Sequence, residues 1–160
     1  MASFLDWSVG LFVAAGAVQF LIGVLTPIVA PRSAGTTFLF TERADGQVIG
    51  ESTDDVLGAF PGLRAIQQAV FAALAGLLLM AGLLQVTIAW FGLRAGHTWA
   101  IASLTAAAVA GSAMWLFVLA RYWGAGASVR LGDVPPFMWV PTVLHIPAIV
   151  LGWIGVRAAG

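Results

Sequence analysis

Hydrophobic residues form four long runs that carry almost no charge, at positions 7–29, 65–91, 98–120 and 137–156. A helix rises about 1.5 Å per residue, so about 20 apolar residues cross the roughly 30 Å of hydrocarbon in a bilayer. Hydrophobic residues make up 61% of the chain and charged residues 9%, against about 25% charged in a soluble domain. We therefore predict an all-α integral membrane protein, a bundle of four transmembrane helices that forms a single membrane domain over residues 1–160.

The longest polar stretch, residues 30–64, separates the first two runs. Residues 36–41 are rich in Thr and Phe, which favours a strand, and the pair Asp45-Gly46 is typical of a hairpin turn. Residues 52–55 combine a capping side chain with two acids, the pattern of a helix start. We predict that this stretch is a structured cap on the bundle, with a short β-hairpin followed by a short helix.

Composition excludes several classes of function. The chain has no cysteine, so it can form neither disulfides nor thiolate metal sites. Seven basic and seven acidic residues cancel, and no basic cluster is present, which argues against nucleic acid as a partner. The phosphate-binding loop, nucleophile-elbow, zinc-protease and EF-hand motifs are all absent. We expect neither a cofactor nor a metal ion.

The arginines leave two orientations open. The side of the predicted cap carries five of them, namely Arg32, Arg43, Arg64, Arg121 and Arg130. Counting positive charge places the cap in the cytoplasm, whereas small four-helix membrane proteins with a long first loop often carry that loop outside, an analogy of shape alone. We expect a multi-pass protein of a bacterial inner membrane with both termini in the cytoplasm.

His145 is the one histidine inside an apolar run, and it lies between Pro141 and Pro147. Ionisable residues within a membrane are functional candidates by default. A neutral imidazole both donates and accepts hydrogen bonds, so His145 could bind a polar atom of an apolar ligand or transfer a proton. It could equally bond a backbone carbonyl freed by a proline. Haem is disfavoured because His97, the second histidine, lies in a loop at the opposite interface.

Two more side chains are candidates for the same site. Gln19 shares a helix face with Gly16 and Gly23, small residues that let a neighbouring helix approach, and its predicted depth is close to that of His145. If the first and last helices are neighbours, Gln19 and His145 could bind one polar ligand atom. Trp115 lies deep in a run rich in Ala and Gly and could line a pocket. Gln85 is interpreted as an interhelical hydrogen-bonding residue.

The cap supplies candidate acids. Glu42, Asp54 and Asp55 lie on the same side as Arg121 and Tyr122. Folded over the bundle, these acids could act with His145 in acid–base catalysis, while Arg121 and Tyr122 bind the substrate. The alternative is that they are solvated loop charges.

Three functions follow from these residues. The first is an accessory subunit of a membrane assembly, with other membrane subunits or a second copy of the chain as partners. The second is a lipophile-binding protein with an apolar small-molecule ligand. The third is an intramembrane enzyme that isomerises, cyclises or opens an epoxide in a lipid, sterol, terpenoid or quinone-like substrate. In each case the lipid bilayer surrounds the chain.

Overall fold

The computed structural model of the chain describes residues 3–33 and 37–159, without the side chains of residues 30–33 and 159. Its elements are α1 (Phe4–Ser33), α2 (Glu42–Ile49), α3 (Thr53–Ala59), α4 (Pro61–Thr87), a π-helical segment (Ile88–Leu93), α5 (Thr98–Gly124), a 3₁₀ turn (Leu131–Asp133) and α6 (Pro136–Ala159). Four of them, α1, α4, α5 and α6, are long and apolar enough to cross a membrane. The prediction of a multi-pass protein with four transmembrane helices is confirmed.

The four long helices alternate in direction, so the bundle has two ends. The end that carries α2, α3 and the α5–α6 loop is called the cap side, and the end that carries Phe4, the α4–α5 turn and Ala159 is called the terminal side. Helix α1 extends past the predicted end at residue 29, and both Pro27 and Pro31 lie within it. Membrane helices tolerate proline because neighbouring groups bond the backbone atoms that it frees.

Helix α1 packs closely against α4 through glycines. A Cβ atom at Gly82 would lie 2.5 Å from the carbonyl oxygen of Gly16, and one at Gly23 would lie 2.6 Å from the backbone nitrogen of Leu79. Both distances are shorter than van der Waals contact, so neither position has room for a side chain. The small-residue face predicted on α1 is therefore the surface that contacts α4.

The opposite flank of α1 packs against α6. The buried hydroxyl of Ser8 donates to the carbonyl oxygen of Ala148 over 2.6 Å. A Cβ at Gly152 would lie 2.7 Å from Ser8 Oγ, and one at Gly155 would lie 2.8 Å from the backbone nitrogen of Leu5. Helix α1 is thus held between α4 and α6.

Helix α5 is joined to α4 at the terminal side. There the π-helical segment packs against the start of α5, and a Cβ at Gly92 would lie 2.8 Å from Cβ of Ala100. Helix α5 also contacts α6, where Trp153 Nε1 donates to Thr105 Oγ1 over 3.2 Å. Farther toward the cap side, a cavity separates α5 from α4.

The predicted β-hairpin is wrong. No strand occurs among residues 3–33 and 37–159, and Asp45-Gly46 lies inside α2. Thr41 caps α2 by accepting a hydrogen bond from the backbone N–H of Ala44 at 3.3 Å, and Gly50 ends it in the left-handed conformation with φ of 87°. Because Thr41 and Gly50 supply helix caps, this stretch forms a short helix and not a hairpin turn. Part of the predicted first strand lies outside the described residues.

The short helix predicted from residues 52–55 is present as α3, which ends at Ala59. Pro61 then occupies the first turn of α4, a position that does not require a backbone donor. The cap is therefore two short helices, α2 and α3.

Candidate ligand-binding cavity

A cavity of about 730 Å³ lies between α4, α5 and α6. Small-molecule sites commonly have volumes of roughly 300–1,000 Å³. Most of the lining side chains are apolar, and the polar ones are Gln19, Gln85, Ser103, Ser112, Thr142 and His145. The wall formed by α4 and the first residue of the π-helical segment runs from Leu74 to Ile88, a length of about 21 Å at 1.5 Å per residue. The cavity is therefore elongated and runs parallel to the helices.

One side of the cavity is open between α4 and α5. The lining residues Leu77, Met80 and Leu84 of α4 and Met114 of α5 are each more than half exposed. In a bilayer these apolar side chains contact lipid. A lipophilic molecule could therefore enter the cavity sideways from the hydrocarbon, without crossing the polar cap.

His145 lies on the cavity wall in a hydrogen-bonded chain with Gln85. The Nε2 atom of His145 is 3.2 Å from Oε1 of Gln85, and Gln85 Nε2 donates to the carbonyl oxygen of Phe12 at 2.8 Å. The rings of Phe12 and His145 are 5.7 Å apart between centroids. His145 thus bonds a side chain on α4, and neither a proline-freed carbonyl nor Gln19 is its partner in this chain of bonds.

Gln19 lines the same cavity at a different depth. Phe12 lies at the level of the His145–Gln85 pair, and Gln19 is seven residues farther along α1, which is about 10 Å toward the cap side. Its Oε1 atom is buried and has no hydrogen-bond partner in the part of the chain that the structure describes. The His145–Gln85 pair and Gln19 are therefore separate polar positions on the cavity wall.

Trp115 closes the cap-side part of the cavity. It packs against Phe137 with 5.8 Å between ring centroids, and Leu39 of the cap also lines this region. Three residues predicted to bind a ligand, Gln19, Trp115 and His145, thus line one cavity. They come from three different transmembrane helices.

The other two predicted ligand-binding residues do not line this cavity. The hydroxyl of Tyr122 donates to Oδ1 of Asp45 at 2.7 Å, and its ring packs edge-on against Phe40. Arg121 is exposed, and its guanidinium carbon lies 5.0 Å from the ring centre of Phe117. Tyr122 therefore ties the cap to the bundle, and Arg121 faces outward.

The predicted catalytic acids are exposed on the cap. Glu42 accepts a hydrogen bond of 3.4 Å from the hydroxyl of Ser52. Asp54 lies 3.8 Å from Arg64, and the side chains of both are largely exposed. Asp55 is also exposed, and none of the three lines the cavity that contains His145. Their positions match the interpretation as solvated loop charges.

Asp45 is the cap residue that sequence reasoning misassigned. Asp45 is 1% exposed, and its carboxylate accepts hydrogen bonds from three successive backbone N–H groups, those of residues 38–40, at 2.6 to 3.3 Å. With Tyr122, four donors surround one carboxylate. The acid in the first turn of α2 was visible in the sequence, but nothing there indicated that it would face inward toward the preceding loop.

A second carboxylate joins the cap to the α5–α6 loop. Asp133 forms an ion pair with Arg43 and accepts a hydrogen bond from the hydroxyl of Thr41 at 2.7 Å. The hydrogen bond from Arg43, with further bonds from Arg130 and Thr41, lowers the pKa of Asp133 to about 2. Arg43 also donates to the backbone carbonyl of Ser128 at 2.7 Å. These contacts fix α2 above the cap-side end of the cavity.

Comparisons of the chain with protein-family models, with curated proteins and with solved structures gave no match. The cavity is therefore the feature of the described residues that bears on function. Its walls can hold an elongated apolar molecule, and its polar atoms can bind and orient one. Among the described residues that line it, His145 is the one titratable side chain.

Proposed function

We propose that this protein binds a lipophilic small molecule inside the membrane, in the cavity between α4, α5 and α6. The carrying observation is a cavity of about 730 Å³ whose walls are mostly apolar and include the polar side chains of Gln19 and His145. Such walls fit a lipophilic molecule, and the few polar side chains can bond a polar group on it.

The lateral opening supports the same proposal. Its rim residues, such as Met80 and Met114, are flexible and apolar, and methionine adapts readily to ligands of different shape. Such an opening suits a molecule dissolved in the bilayer better than one dissolved in water. The cap, held by Asp45 and Asp133, covers the cap-side end of the bundle.

The alternative of an intramembrane enzyme has less support. Acid–base catalysis usually needs a donor and an acceptor near the reacting atoms. Here His145 is without a carboxylate on the cavity wall, because Glu42, Asp54 and Asp55 are exposed on the cap. For an accessory subunit, no feature of the described residues identifies a surface reserved for a partner. Lipophile binding is therefore the function that we adopt.

The test replaces one small residue of the cavity wall by a large one, so that its side chain occupies part of the cavity. Gly111 lines the cavity, and a Cβ there would meet nothing within 4 Å, so Gly111→Leu adds a side chain to open space. Ala113 on the same helix is exposed and does not line the cavity, so Ala113→Leu is the matched control. Each full-length protein is purified from its native membrane, and co-purifying lipophiles are extracted and quantified by mass spectrometry.

We expect the wild type and Ala113→Leu to carry a lipophile that is enriched over the bulk membrane lipids. Gly111→Leu should lower this enrichment at least several-fold, because the leucine occupies ligand volume. Equal retention by Gly111→Leu and the wild type, or no enriched molecule in any sample, would contradict the proposal.

A further inference from the structure

Carboxylates, guanidinium groups and ammonium groups are absent from the described wall of the cavity. The helices around it carry no Asp, Glu, Arg or Lys over positions 65–93, 98–120 and 136–156. The charged residues of these helices lie near their ends, at Arg64, Arg121 and Arg157. A charged group inside the cavity would therefore find no opposite charge on these walls.

The hydrogen bonds of His145 fit a neutral imidazole. The carbonyl of Phe12 can only accept, so the Gln85 atom that faces it is the amide nitrogen. Gln85 Oε1 then faces His145 Nε2, which donates to it over 3.2 Å. A second proton on the ring would place a positive charge beside apolar side chains, with no carboxylate on the described wall to balance it. His145 thus gives the cavity a hydrogen-bonding group without a charge.

The polar side chains of the wall offer both donors and acceptors. The amide nitrogen of Gln19 can donate, and the hydroxyls of Ser103 and Ser112 can donate or accept. A hydroxyl, an ether or a carbonyl group on a ligand could each find a partner among them. The wall therefore accepts different kinds of neutral polar group, and the property that it constrains is charge.

The position of the cavity keeps a ligand's polar group away from water. At the cap side Trp115 packs against Phe137, and at the terminal side the π-helical segment packs against the start of α5. The lateral opening includes Leu77, the middle residue of the apolar span Pro61–Leu93, which places it roughly 20 Å from either end of that span. A head group at this opening would lie deep in hydrocarbon, where a charge loses its hydration.

We infer that the ligand carries no charged head group and is an elongated neutral lipophile, such as a long-chain or isoprenoid alcohol, a sterol or a quinone. This inference rests on the proposed function and narrows it by one chemical property. Phospholipids, ionised fatty acids and cationic amphiphiles would be excluded. An uncompensated charge at the centre of a membrane lowers affinity by the equivalent of about a hundredfold.

The test compares probes that have the same chain and different charge. Tritiated hexadecan-1-ol is bound to the purified full-length protein in micelles of an uncharged detergent. It is displaced by unlabelled hexadecan-1-ol, by hexadecyl sulfate or by hexadecyltrimethylammonium. The charged probes are kept at a small fraction of the detergent, and circular dichroism confirms that the protein stays folded. The wild type is compared with Gly111→Leu, which fills the cavity, and with Ala113→Leu, which lies outside it.

We expect the wild type and Ala113→Leu to bind hexadecan-1-ol at least tenfold more tightly than either charged probe. Gly111→Leu should weaken binding of the alcohol several-fold and leave the weak binding of the charged probes unchanged. The lipophile that is enriched on purification from the native membrane should have no charged group.

Two outcomes would overturn the exclusion of charge while leaving a lipophile site. One is a charged probe that binds the wild type as tightly as hexadecan-1-ol does, and the other is an enriched native lipophile with a charged head group. Absence of saturable binding of every probe, together with no enriched native lipophile, would overturn the proposed function as well.

Discussion

The substitution Gly82→Ala tests the packing that forms the cavity. Its added Cβ would lie 2.5 Å from the Gly16 carbonyl oxygen and 2.6 Å from the backbone nitrogen of Phe20, where ordinary contact begins at 3.4 Å. Helices α1 and α4 would have to separate by roughly 0.9 Å, because both clashing atoms belong to a backbone and no rotamer change can relieve them. Overpacking of this kind costs about 1–3 kcal/mol, and we expect the upper end of that range.

Gly76→Ala is the matched control on the same helix. Gly76 is exposed, and a Cβ there would meet nothing within 4 Å. Alanine favours a helix over glycine by at most about 1 kcal/mol, and the gain is smaller where the unfolded state in detergent keeps its helices. Each variant therefore adds one methyl group to the wild type, Gly82→Ala inside the α1–α4 contact and Gly76→Ala outside it.

The assay is reversible unfolding in mixed micelles, followed by circular dichroism as the denaturing detergent is increased. Gly82→Ala should unfold at a clearly lower denaturant fraction, equivalent to about 3 kcal/mol, and Gly76→Ala should stay within about 1 kcal/mol of the wild type. Equal stability of the two variants would refute the glycine-mediated contact. Since α1 carries Gln19, Gly82→Ala should also weaken lipophile retention.

Three further outcomes follow from the polar contacts. Tyr122→Phe removes one donor to the buried Asp45 carboxylate and should destabilise the protein by about 1.5–3 kcal/mol in chemical denaturation. It should cost much less when Asp45→Ala has already removed the acceptor. The pKa of Asp133 is lowered to about 2, whereas the pKa of an Asp in the unfolded chain is about 4. The ion pair of Asp133 therefore stabilises the cap fully above pH 4, and this stabilisation is lost as the pH falls from 4 to 2. Protease cleavage of the cap should rise in that range, and Asp133→Asn should abolish this pH dependence. Gln85→Leu removes the side-chain bond to the Phe12 carbonyl and leaves His145 Nε2 without its partner, so it should lower the thermal unfolding temperature more than Thr87→Val does at an exposed position of the same helix.

The sequence was sufficient to predict the transmembrane helices. Runs of apolar residues determine them directly, because the bilayer imposes one length and one kind of backbone bonding. One packing face was also readable, since Gly16 and Gly23 share a face of the first run and the structure places both at the α1–α4 contact. Both signals are local and repeat along a single helix.

The cap could not be predicted in the same way. The pair Asp45-Gly46 indicated a turn, but Thr41 and Gly50 cap the start and the end of a helix of eight residues that contains it. Tertiary bonds favour the helix, since Asp45 must reach both the backbone of residues 38–40 and the hydroxyl of Tyr122. Contacts between residues 77 positions apart have no signature in a single sequence.

Pairing within the bundle failed for a related reason. The sequence placed Gln19 and His145 at similar depths, but depth along a helix depends on where α1 starts and how it crosses its neighbours. The structure places Phe12 opposite His145, and Gln85 becomes its partner. Residues that line one cavity could thus be predicted, while the bonds among them could not.

The most direct test of the central claim is an experimental structure of the protein purified from its native membrane. We expect elongated non-protein density in the cavity between α4 and α5, with a polar end within about 3 Å of a polar side chain of the wall, such as Gln19 or His145. A cavity closed by direct contact of α4 and α5 would contradict the account.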